Sequence, residues 1–563
     1  MAIRASFPLS QDLSRAIKIS RLSQIERLIN LLGDQKMTFA SRKLYKNKLN
    51  KMLGFADDES FLQMIWATYL LQSGKSGRAA QFLNFPTEAA TTDFASKFAI
   101  RPWELEALMN ELLAIPKKLQ TKSYRGQRVL NCSEFSTMIN LCNALRDLEN
   151  ASDLHALQRH SVMREMHRLA QRQFEWQRGF SSAIKLYRTS FIYGGCNASR
   201  FFESHHGIGL EKFTHACFAL RALWLQAPWI RRTISLQAIE ISGSEIEVVF
   251  SIISLPIKSA RKMAANSRYG KTHIAYRKSI FRTYPCIDFG AESRGMCAPI
   301  PDLVLRRAAL GVFYDVISGG GNIRNEVSAR FEEYSGKFFQ RIFPNDVIER
   351  NVRYKFKKNI IESPDLIVLR DGGIELAVEC KATRLGYDAA YSENPIESSP
   401  RGYMELAKGV FQLWRFASHC RQGLVTGVRK EGKFVGLVLT LDPWLSMSGE
   451  MQKDVVERAE EFVKEKGIHL LTDDRIPVAF ANIDDLETTY RTCSAETFLN
   501  AVAELAKQER WGWLLSSVHD EVIGDCVRHN TYPFEDEMEG VVPWWQYYAQ
   551  RDKAARLKNG PGG

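Results

Sequence analysis

Two short runs in the chain combine acidic and basic side chains in a spacing that could support metal-dependent chemistry. The first is Pro364-Asp365, and the second, after an intervening turn, is Glu379-Cys380-Lys381. Two neighbouring carboxylates offer the oxygen ligands that Mg²⁺ or Mn²⁺ prefers, and these ions also accept phosphate oxygens of a substrate. Lys381 adds a positive charge beside them. The residue types therefore predict a site for Mg²⁺ or Mn²⁺, at which substrate phosphate oxygens could serve as further ligands.

A β-hairpin is expected to bring the two runs together. Residues Leu366 to Arg370 and Ile374 to Cys380 are rich in β-forming types, and Asp371-Gly372-Gly373 between them is a hairpin turn signal. The sequence therefore predicts two antiparallel strands with the acids near their open end.

The register of this hairpin follows from its apolar pattern. With a three-residue loop Arg370 faces Ile374, and apolar side chains pair on one face of the hairpin. These pairs are Leu366 with Val378 and Val368 with Leu376. On the other face Asp365 lies opposite Glu379, with Cβ atoms roughly 4.5 to 5.5 Å apart. A shift of one residue would spoil the apolar face, so the pattern favours the chelating register.

Two helical patterns flank the hairpin and carry further polar candidates. Upstream, Asn325 to Phe343 has the apolar spacing of an amphipathic helix and contains Phe331-Glu332-Glu333-Tyr334. Downstream, Tyr403 to Cys420 has a second helical pattern in which Lys408 and Gln412 lie four residues apart, on one face. The alternative is that these polar side chains are solvated residues of exposed helix faces.

These motifs and elements together resemble the PD-(D/E)xK nuclease superfamily over about residues 322 to 490. The resemblance implies a mixed α/β (α+β) fold with a restriction-endonuclease-like core in the order helix, three strands, helix, strand. Remaining strands are expected at Phe434 to Leu441 and Ile468 to Leu471, with a helix around Met451 to Lys464 between them. The resemblance does not reach the first 300 residues.

The resemblance also implies which residues would hold the ion. Asp365, Glu379 and the backbone carbonyl of Cys380 would be ligands, and Glu332, with Glu333 as the alternative, would extend toward the metal. The Cys380 side chain itself is expected to be buried and to point away from the acids.

Further roles follow for the other polar residues. Lys381 would orient the attacking water or balance the charge that develops on phosphorus. Gln412 and Lys408 would lie near the substrate phosphate or the water. The implied reaction is phosphodiester hydrolysis without a covalent intermediate.

Positive charge is concentrated in the first 300 residues, which contain 42 Lys and Arg against 24 Asp and Glu, whereas residues 301–563 contain 34 and 40. Within this half, the segment from 258 to 282 has no acid and interleaves Tyr269, Tyr276 and Phe281. Its basic residues are Lys258, Arg261, Lys262, Arg268, Lys271, Arg277, Lys278 and Arg282. Basic side chains can bind phosphates while aromatic rings stack on bases. We expect a nucleic-acid-binding surface here, with a solvated basic surface as the alternative.

The chain is expected to contain four regions. Residues 1–230 form a mostly helical basic region, and residues 231–320 contain a hairpin around Gly243, the basic segment and a helix, and could belong to the same domain. Residues 321–490 form the nuclease-like domain, and residues 491–563 a helical C-terminal extension and tail. The run Ser318-Gly319-Gly320-Gly321 is the candidate hinge before the nuclease-like domain, or a turn within one compact unit.

The cysteines and the hydropathy pattern exclude several classes of protein. None of the ten cysteines forms a Cys-x-x-Cys pair, which argues against structural zinc and cysteine-bound iron–sulfur clusters. There is no secretory signal and no apolar run long enough to cross a membrane. We therefore expect a reduced, cytoplasmic setting and no membrane partner.

The resemblance thus implies a metal-dependent nuclease that acts on DNA rather than RNA, with an endonuclease role in restriction or anti-phage defence by analogy with other members of the superfamily. Two alternatives remain open. One is a nucleic-acid-binding scaffold with a structural nuclease-like domain, and the other is a nuclease subunit that needs a partner, docked through the Trp544-Trp545 region, or a second copy of itself.

Overall fold

The structure is a computed structural model that describes residues 39–116, 130–157, 162–178, 183–268, 273–427, 434–445, 448–523, 530–542 and 544. These residues divide into two compact units. The first unit contains those up to 157, those from 172 to 319 and Trp544, and the second contains 162–171 and the described residues from 320 to 542. The boundary at Gly319 falls in the predicted hinge run. Residues 1–230 and 231–320 are therefore not separate units, and the described part of 491–542 belongs to the second unit.

The first unit is built mainly of helices around an apolar core that includes Phe61, Trp66, Phe135 and Phe281. Its helices are α1 (Phe39–Gly54), α2 (Asp58–Gln72), α3 (Ser76–Ala79), α4 (Pro102–Ala114), α5 (Phe135–Leu157), α6 (Val162–Arg178, which contains the division at residue 171), α7 (Ala183–Tyr193), α8 (Cys196–His206), α9 (Leu210–Trp224), α10 (Gly243–Ile253), α11 (Ile257–Arg268), α12 (Asp302–Ala308) and α13 (Val312–Val316). A small sheet has the strand order β1 (Trp229–Ile230), β4 (Met296–Cys297), β3 (Cys286–Asp288), β2 (Ser254–Pro256).

The predicted hairpin around Gly243 is wrong, because this segment contains the helix α10. Ser242 caps the helix: its side chain accepts a hydrogen bond from the backbone N–H of Glu245, and the Glu245 carboxylate accepts one from the backbone N–H of Ser242 at 2.8 Å. This capping box satisfies two donors that a helix start otherwise leaves without partners. Apolar residues of this segment, among them Ile246, Val249 and Phe250, form the buried face of α10 instead.

The second unit is a mixed α/β structure around a five-stranded sheet. The strands are β5 (Val347–Arg350), β6 (Arg353–Phe356), β7 (Asn359–Glu362), β8 (Leu366–Arg370), β9 (Gly373–Lys381), β10 (Val435–Thr440) and β11 (Val478–Asn482). The strand order in the five-stranded sheet is β11-β10-β9-β8-β5; β9, β10 and β11 are parallel, and β8 is antiparallel to both β9 and β5. The helices are α14 (Gly321–Ile342), α15 (Tyr387–Ala390), α16 (Pro395–Ser398), α17 (Pro400–Arg421), α18 (Gly449–Glu465), α19 (Ile483–Tyr490), α20 (Ala495–Leu505), α21 (Leu515–Ile523) and α22 (Met538–Val541). Helix α17 packs on β9 and β10, and α14 packs on β9 and β5.

The predicted strand at residues 468–471 is also wrong. These residues follow Gly467, which has a left-handed backbone, and end at a turn where the Asp474 carboxylate accepts a hydrogen bond from the N–H of Leu471 at 2.8 Å. The strand is instead β11, whose five residues are all buried. Such an uninterrupted buried run is typical of parallel strands that are covered on both faces.

The hairpin of β8 and β9 has the predicted register over its open half and a different turn. Leu366 pairs with Val378 and Val368 pairs with Leu376, as predicted. At the closed end Arg370 pairs with Gly373 rather than Ile374, because the loop has two residues, Asp371 and Gly372, with φ of 49° and 77°. Positive φ at both loop residues suits the right-handed twist of a hairpin. The register shift after Val368 absorbs the one-residue difference as a β-bulge.

Among the described residues, no helix combines the length and the apolar character needed to span a bilayer. The nine cysteines in this part of the chain are all free thiols, and eight of them are buried.

Candidate metal and catalytic site

The predicted acids meet where β8 begins and β9 ends. Asp365 and Glu379 are each one position beyond the Leu366–Val378 pair, and the backbone N–H of Cys380 donates a 2.7 Å hydrogen bond to Asp365 Oδ2. This bond fixes the Asp365 carboxylate against the last residues of β9. The fixed register of the hairpin therefore positions both acids.

Lys381 is held inside the same cluster. Its Nζ atom donates hydrogen bonds to Glu379 Oε1 at 2.8 Å and to Gln412 Oε1 at 3.4 Å. The Glu379 side chain is 3% exposed and that of Lys381 14%. The second carboxylate oxygen of Glu379, Oε2, is buried and has no hydrogen-bond partner among the described residues. A buried carboxylate oxygen without a partner is costly, so this atom favours an additional positively charged ligand.

The charges of the cluster perturb one another. Burial, followed by the charges of Glu379 and Glu332, raises the pKa of Asp365 to about 8. Burial and the charge of Glu379 also raise the pKa of Glu332 above its ordinary value. Burial alone would lower the pKa of Lys381, but the charge and hydrogen bond of Glu379 outweigh it and raise this pKa. The site thus carries more negative charge than one lysine balances, which a bound cation would correct.

Glu332 reaches this cluster from helix α14. Phe331 and Tyr334 on either side of the Glu332-Glu333 pair are fully buried, which fixes the rotation of the helix. Both glutamates are half-buried, but it is Glu332 whose charge acts on Asp365 and Cys380. The structure therefore places the preferred glutamate, rather than the alternative, near the acids.

Helix α17 contributes two residues that the sequence reasoning missed. Gly409 lies so close to β9 that a Cβ atom added to it would be 3.3 Å from Glu379 Cγ and 3.3 Å from Lys381 Cε. The negative charge of Glu405, one turn earlier, also acts on Lys381. Positions 405, 409 and 412 have the spacing of one helix face, so the sequence already indicated that Glu405 and Gly409 lie on the same side of α17 as Gln412.

Lys408 lies at the edge of this helix face. Its side chain is exposed, and Nζ forms an ion pair with Glu405 Oε1 at 2.7 Å. It is not hydrogen-bonded to Lys381 or Gln412, and its contact with substrate phosphate stays a prediction.

The donor set fits a hard divalent cation that retains waters, rather than a metal enclosed by protein ligands. Within the described ranges, no group of three or more His, Cys, Asp and Glu side chains is arranged to hold an ion. Asp365 and Glu379 with the backbone carbonyl of Cys380 form a smaller set, and Mg²⁺ is often bound by one or two carboxylates together with waters. The Cys380 thiol is buried and its pKa is raised well above the ordinary value by burial, so this side chain is not available as a thiolate ligand.

The basic segment of the first unit has a different environment from the one expected. Four of its arginines form ion pairs with acids from distant parts of the sequence: Arg261 with Asp58, Arg268 and Arg277 with Glu111, and Arg282 with Glu106 and Glu175. Burial raises the cost of leaving such charges without partners, so these pairs serve the packing of the unit. The absence of acids within the segment itself was therefore misleading.

The remaining members of the segment divide into exposed lysines and buried aromatic rings. Lys258, Lys262 and Lys278 are exposed and stay predicted contacts to nucleic acid. Tyr276 and Phe281 are 3% and 0% exposed, so in this structure neither ring is available for base stacking. Lys271 and Tyr269 lie outside the described residues.

Comparison of the chain with protein-family models, with curated proteins and with solved structures gave no match. The geometry of the site is therefore the basis for assigning a function.

Proposed function

We propose that the chain is a divalent-metal-dependent nuclease that hydrolyses phosphodiester bonds, with the reaction centred on Asp365, Glu379 and Lys381. The observation that carries this proposal is the buried Glu379 carboxylate, which binds Lys381 through one oxygen and has no partner for the other among the described residues. The second acid of the cluster is Asp365, whose pKa is raised partly by the charge of Glu379. A bound cation would offset this repulsion between the two carboxylates.

The ion would be Mg²⁺ or Mn²⁺, held by Asp365, Glu379 and the carbonyl of Cys380, with Glu332 as an additional acid. When bound, such an ion would stabilise negative charge on a phosphoryl oxygen and lower the pKa of a bound water. The positive charge of the ion would offset the burial and the charge of Glu379 that raise the pKa values of Asp365 and Glu332.

The polar residues around Glu379 would position the reacting groups. The Lys381 ammonium group can donate a further hydrogen bond to a phosphate oxygen or a water while it keeps its hydrogen bond to Glu379. Gln412 supports Lys381 from α17, and the absence of a side chain at Gly409 leaves room for both. These contacts hold the lysine in place before the substrate arrives, which is the arrangement that electrostatic stabilisation needs.

The proposed substrate is DNA, and the proposed setting is restriction or anti-phage defence in the cytoplasm. The net positive charge of residues 1–300 supports a polyanionic substrate, since 42 basic residues exceed 24 acidic ones there. The biological setting is supported only by the resemblance to the PD-(D/E)xK superfamily. A partner protein or a second copy of the chain would be needed if the purified protein is inactive alone.

The proposal is tested by incubating the full chain with labelled linear duplex, circular duplex, single-stranded DNA and RNA, with Mg²⁺, with Mn²⁺ and with a chelator. We expect cleavage of a DNA substrate with either ion and none with the chelator. Asp365→Asn, Glu379→Gln and Lys381→Met should each slow cleavage by about 10² or more while nucleic-acid binding is retained. Lys453→Gln, at an exposed ion pair on α18, is the control and should cleave normally.

Two results would redirect the assignment. Binding without cleavage, even when cell extract is added, would favour the nucleic-acid-binding scaffold. Cleavage that appears only with extract would favour the partner-dependent subunit.

A further inference from the structure

Strands β6 and β7 form a two-stranded ribbon, Arg353–Glu362, that ends three residues before Asp365. Among the described strands, the two pair only with each other, in the register Arg353 with Glu362, Tyr354 with Ile361, Lys355 with Ile360 and Phe356 with Asn359. Isolated two-stranded ribbons are only marginally stable in water, so the ribbon depends on contacts with the rest of the second unit.

One face of the ribbon supplies those contacts. Tyr354 is 6% exposed, its hydroxyl is 2.9 Å from His419 Nδ1 on α17, and the Phe356 ring stacks on the His419 ring at 4.5 Å between centroids. At the base, the backbone N–H of Ser363 donates to Val352 O at 2.9 Å. The ribbon is therefore fixed to the helix that also carries Gln412.

The other face and the turn are exposed and basic. Lys355, Lys357 and Lys358 are all exposed, and in the described part of the chain none of the three forms an ion pair. Ile360, which pairs with Lys355, is 69% exposed. Three lysines and one apolar side chain are thus exposed on a ribbon that is packed against α17, and Nζ of Lys357 lies 5.3 Å from the centroid of the Phe356 ring.

The turn itself is unusual for a structural hairpin. Lys357 and Lys358 form the two-residue loop, and Lys357 has a φ of 55°. Glycine, asparagine and aspartate are the residues that favour this conformation in hairpin loops. A lysine with this backbone conformation is slightly strained, and strained backbone conformations are concentrated at functional positions.

We propose that this ribbon, here called the lysine ribbon (Arg353–Glu362), binds double-stranded DNA beside the site of cleavage. This inference rests on the proposed nuclease function and names the form of its substrate. A two-stranded β-ribbon fits the major groove of a duplex, where lysines contact phosphates and an apolar side chain can contact base edges.

The position of the ribbon along the chain limits where it can touch the substrate. Asp365 is seven positions after Lys358, and extended backbone spans about 3.3 Å per residue, so the turn lies at most about 23 Å from Asp365. This distance corresponds to about seven base pairs at 3.4 Å each. The ribbon would contact the duplex within one helical turn of the cleaved bond.

Two other occupants fit less well. Single-stranded nucleic acid is gripped by exposed aromatic rings, but the two rings of the ribbon, Tyr354 and Phe356, pack against His419. A strand from another protein would pair with a ribbon edge, and lysines on exposed edges disfavour such pairing. The charge and shape of the surface therefore favour duplex DNA.

The test compares two triple variants of the full chain in which three exposed lysines of the second unit become glutamine. The first changes the lysine ribbon at Lys355, Lys357 and Lys358, and the control changes Lys453, Lys464 and Lys466 at α18. Both variants lose the same positive charge. Binding to a labelled duplex is measured by fluorescence anisotropy over a range of salt concentrations, with a chelator present so that the DNA stays intact.

We expect the lysine-ribbon variant to bind duplex on the order of 10- to 100-fold more weakly near 0.1 M salt, with a slope of log affinity against log salt smaller by about 2 to 3. The control should stay within about twofold of wild type. Replacing the same three ribbon lysines with arginine should restore both quantities, because the positive charges return. Unfolding midpoints of all variants are measured alongside to show that each is folded.

Three outcomes would overturn the inference: equal weakening by both triple variants, unchanged duplex binding by the lysine-ribbon variant, or a loss confined to single-stranded DNA. Cleavage by wild type with Mg²⁺ is measured in parallel. If wild type does not cleave, and the lysine-ribbon variant but not the control loses duplex binding, the proposed nuclease function is wrong and the proposed binding surface is supported. If wild type cleaves and the lysine-ribbon variant binds and cleaves as the control does, only the binding surface fails.

Discussion

Removing the charge of Asp365 should stabilise the metal-free protein at neutral and alkaline pH. Burial and the charges of Glu379 and Glu332 raise the pKa of Asp365 to about 8, whereas an aspartate in an unfolded chain titrates near 4. Asp365→Asn keeps an oxygen that can accept the hydrogen bond from the Cys380 N–H and removes the carboxylate charge. The substitution therefore isolates the electrostatic cost of the site.

The sign and size of the effect follow from this pKa. Below about pH 4 the carboxyl is protonated in both the folded and the unfolded state, and above about pH 8 it is charged in both. The folded state therefore loses stability as pH rises from about 4 to 8. The full pKa difference corresponds to about 5 kcal/mol, and partial solvent exposure of Asp365 reduces the expected loss to about 1–3 kcal/mol.

The assay is thermal unfolding from pH 5 to 8.5 with a chelator and again with Mg²⁺. Relative to Asp365→Asn, wild type should lose about 3–8 °C in midpoint between pH 5 and 8 without metal, and Mg²⁺ should restore most of it at pH 8. Asp520→Asn is the control: burial, then the charge of Asp485, raises the pKa of Asp520 to about 6, so its effect develops between about pH 4 and 6 and should not respond to Mg²⁺. Parallel pH profiles for wild type and Asp365→Asn, or equal stabilisation of both by Mg²⁺, would refute the reasoning.

Two further substitutions test the support of the site and the environment of the basic segment. Gly409→Ala gains about 1 kcal/mol of helix propensity, but its Cβ would lie 3.3 Å from atoms of both site residues on β9, so we expect cleavage to fall about tenfold with little change in unfolding midpoint. Gly321→Ala, where an added Cβ meets no atom within 4 Å, should cleave normally, and equal activity of the two variants would contradict the role given to Gly409. Arg282→Gln should lower the free energy of unfolding of the first unit by about 3 kcal/mol, because it removes the arginine that pairs with the buried Glu106 carboxylate, whereas Lys278→Gln should change it by less than about 0.5 kcal/mol. Similar unfolding curves for these two variants would show that Arg282 is not structural.

The parts of the site that the sequence predicts are those determined by local patterns. The apolar residues of β8 and β9 predict the pairs Leu366–Val378 and Val368–Leu376, both of which the hairpin has, and this register places Asp365 and Glu379 at its open end. The two-residue turn was missed because a bulge after Val368 changes the pairing without changing the apolar face. The helices α14 and α17 were predicted from their periodicity, and α17 also contained the unrecognised face with Gly409.

The parts that were missed depend on contacts between distant segments or on a competing local signal. The acids that pair with Arg277 and Arg282 lie more than 100 residues away, so no window around the basic segment reveals them. At α10, the predicted hairpin placed strands on either side of Gly243, while the capping pair of Ser242 and Glu245 specifies a helix start. Local propensity gave the wrong answer there because the cap and the packing of one helix face outweigh it.

Strand cleavage by wild type and by Glu379→Gln, measured on the same labelled duplex with and without Mg²⁺, tests the assignment of this cluster as a metal-dependent nuclease site most directly. Glutamine has nearly the size of glutamate and keeps an acceptor for Lys381 but loses the charge, so folding should be preserved. We predict cleavage by wild type only when Mg²⁺ is present, and a loss of about 10² or more in the variant. Equal cleavage by the two proteins, or cleavage by wild type that persists with a chelator, would contradict the account.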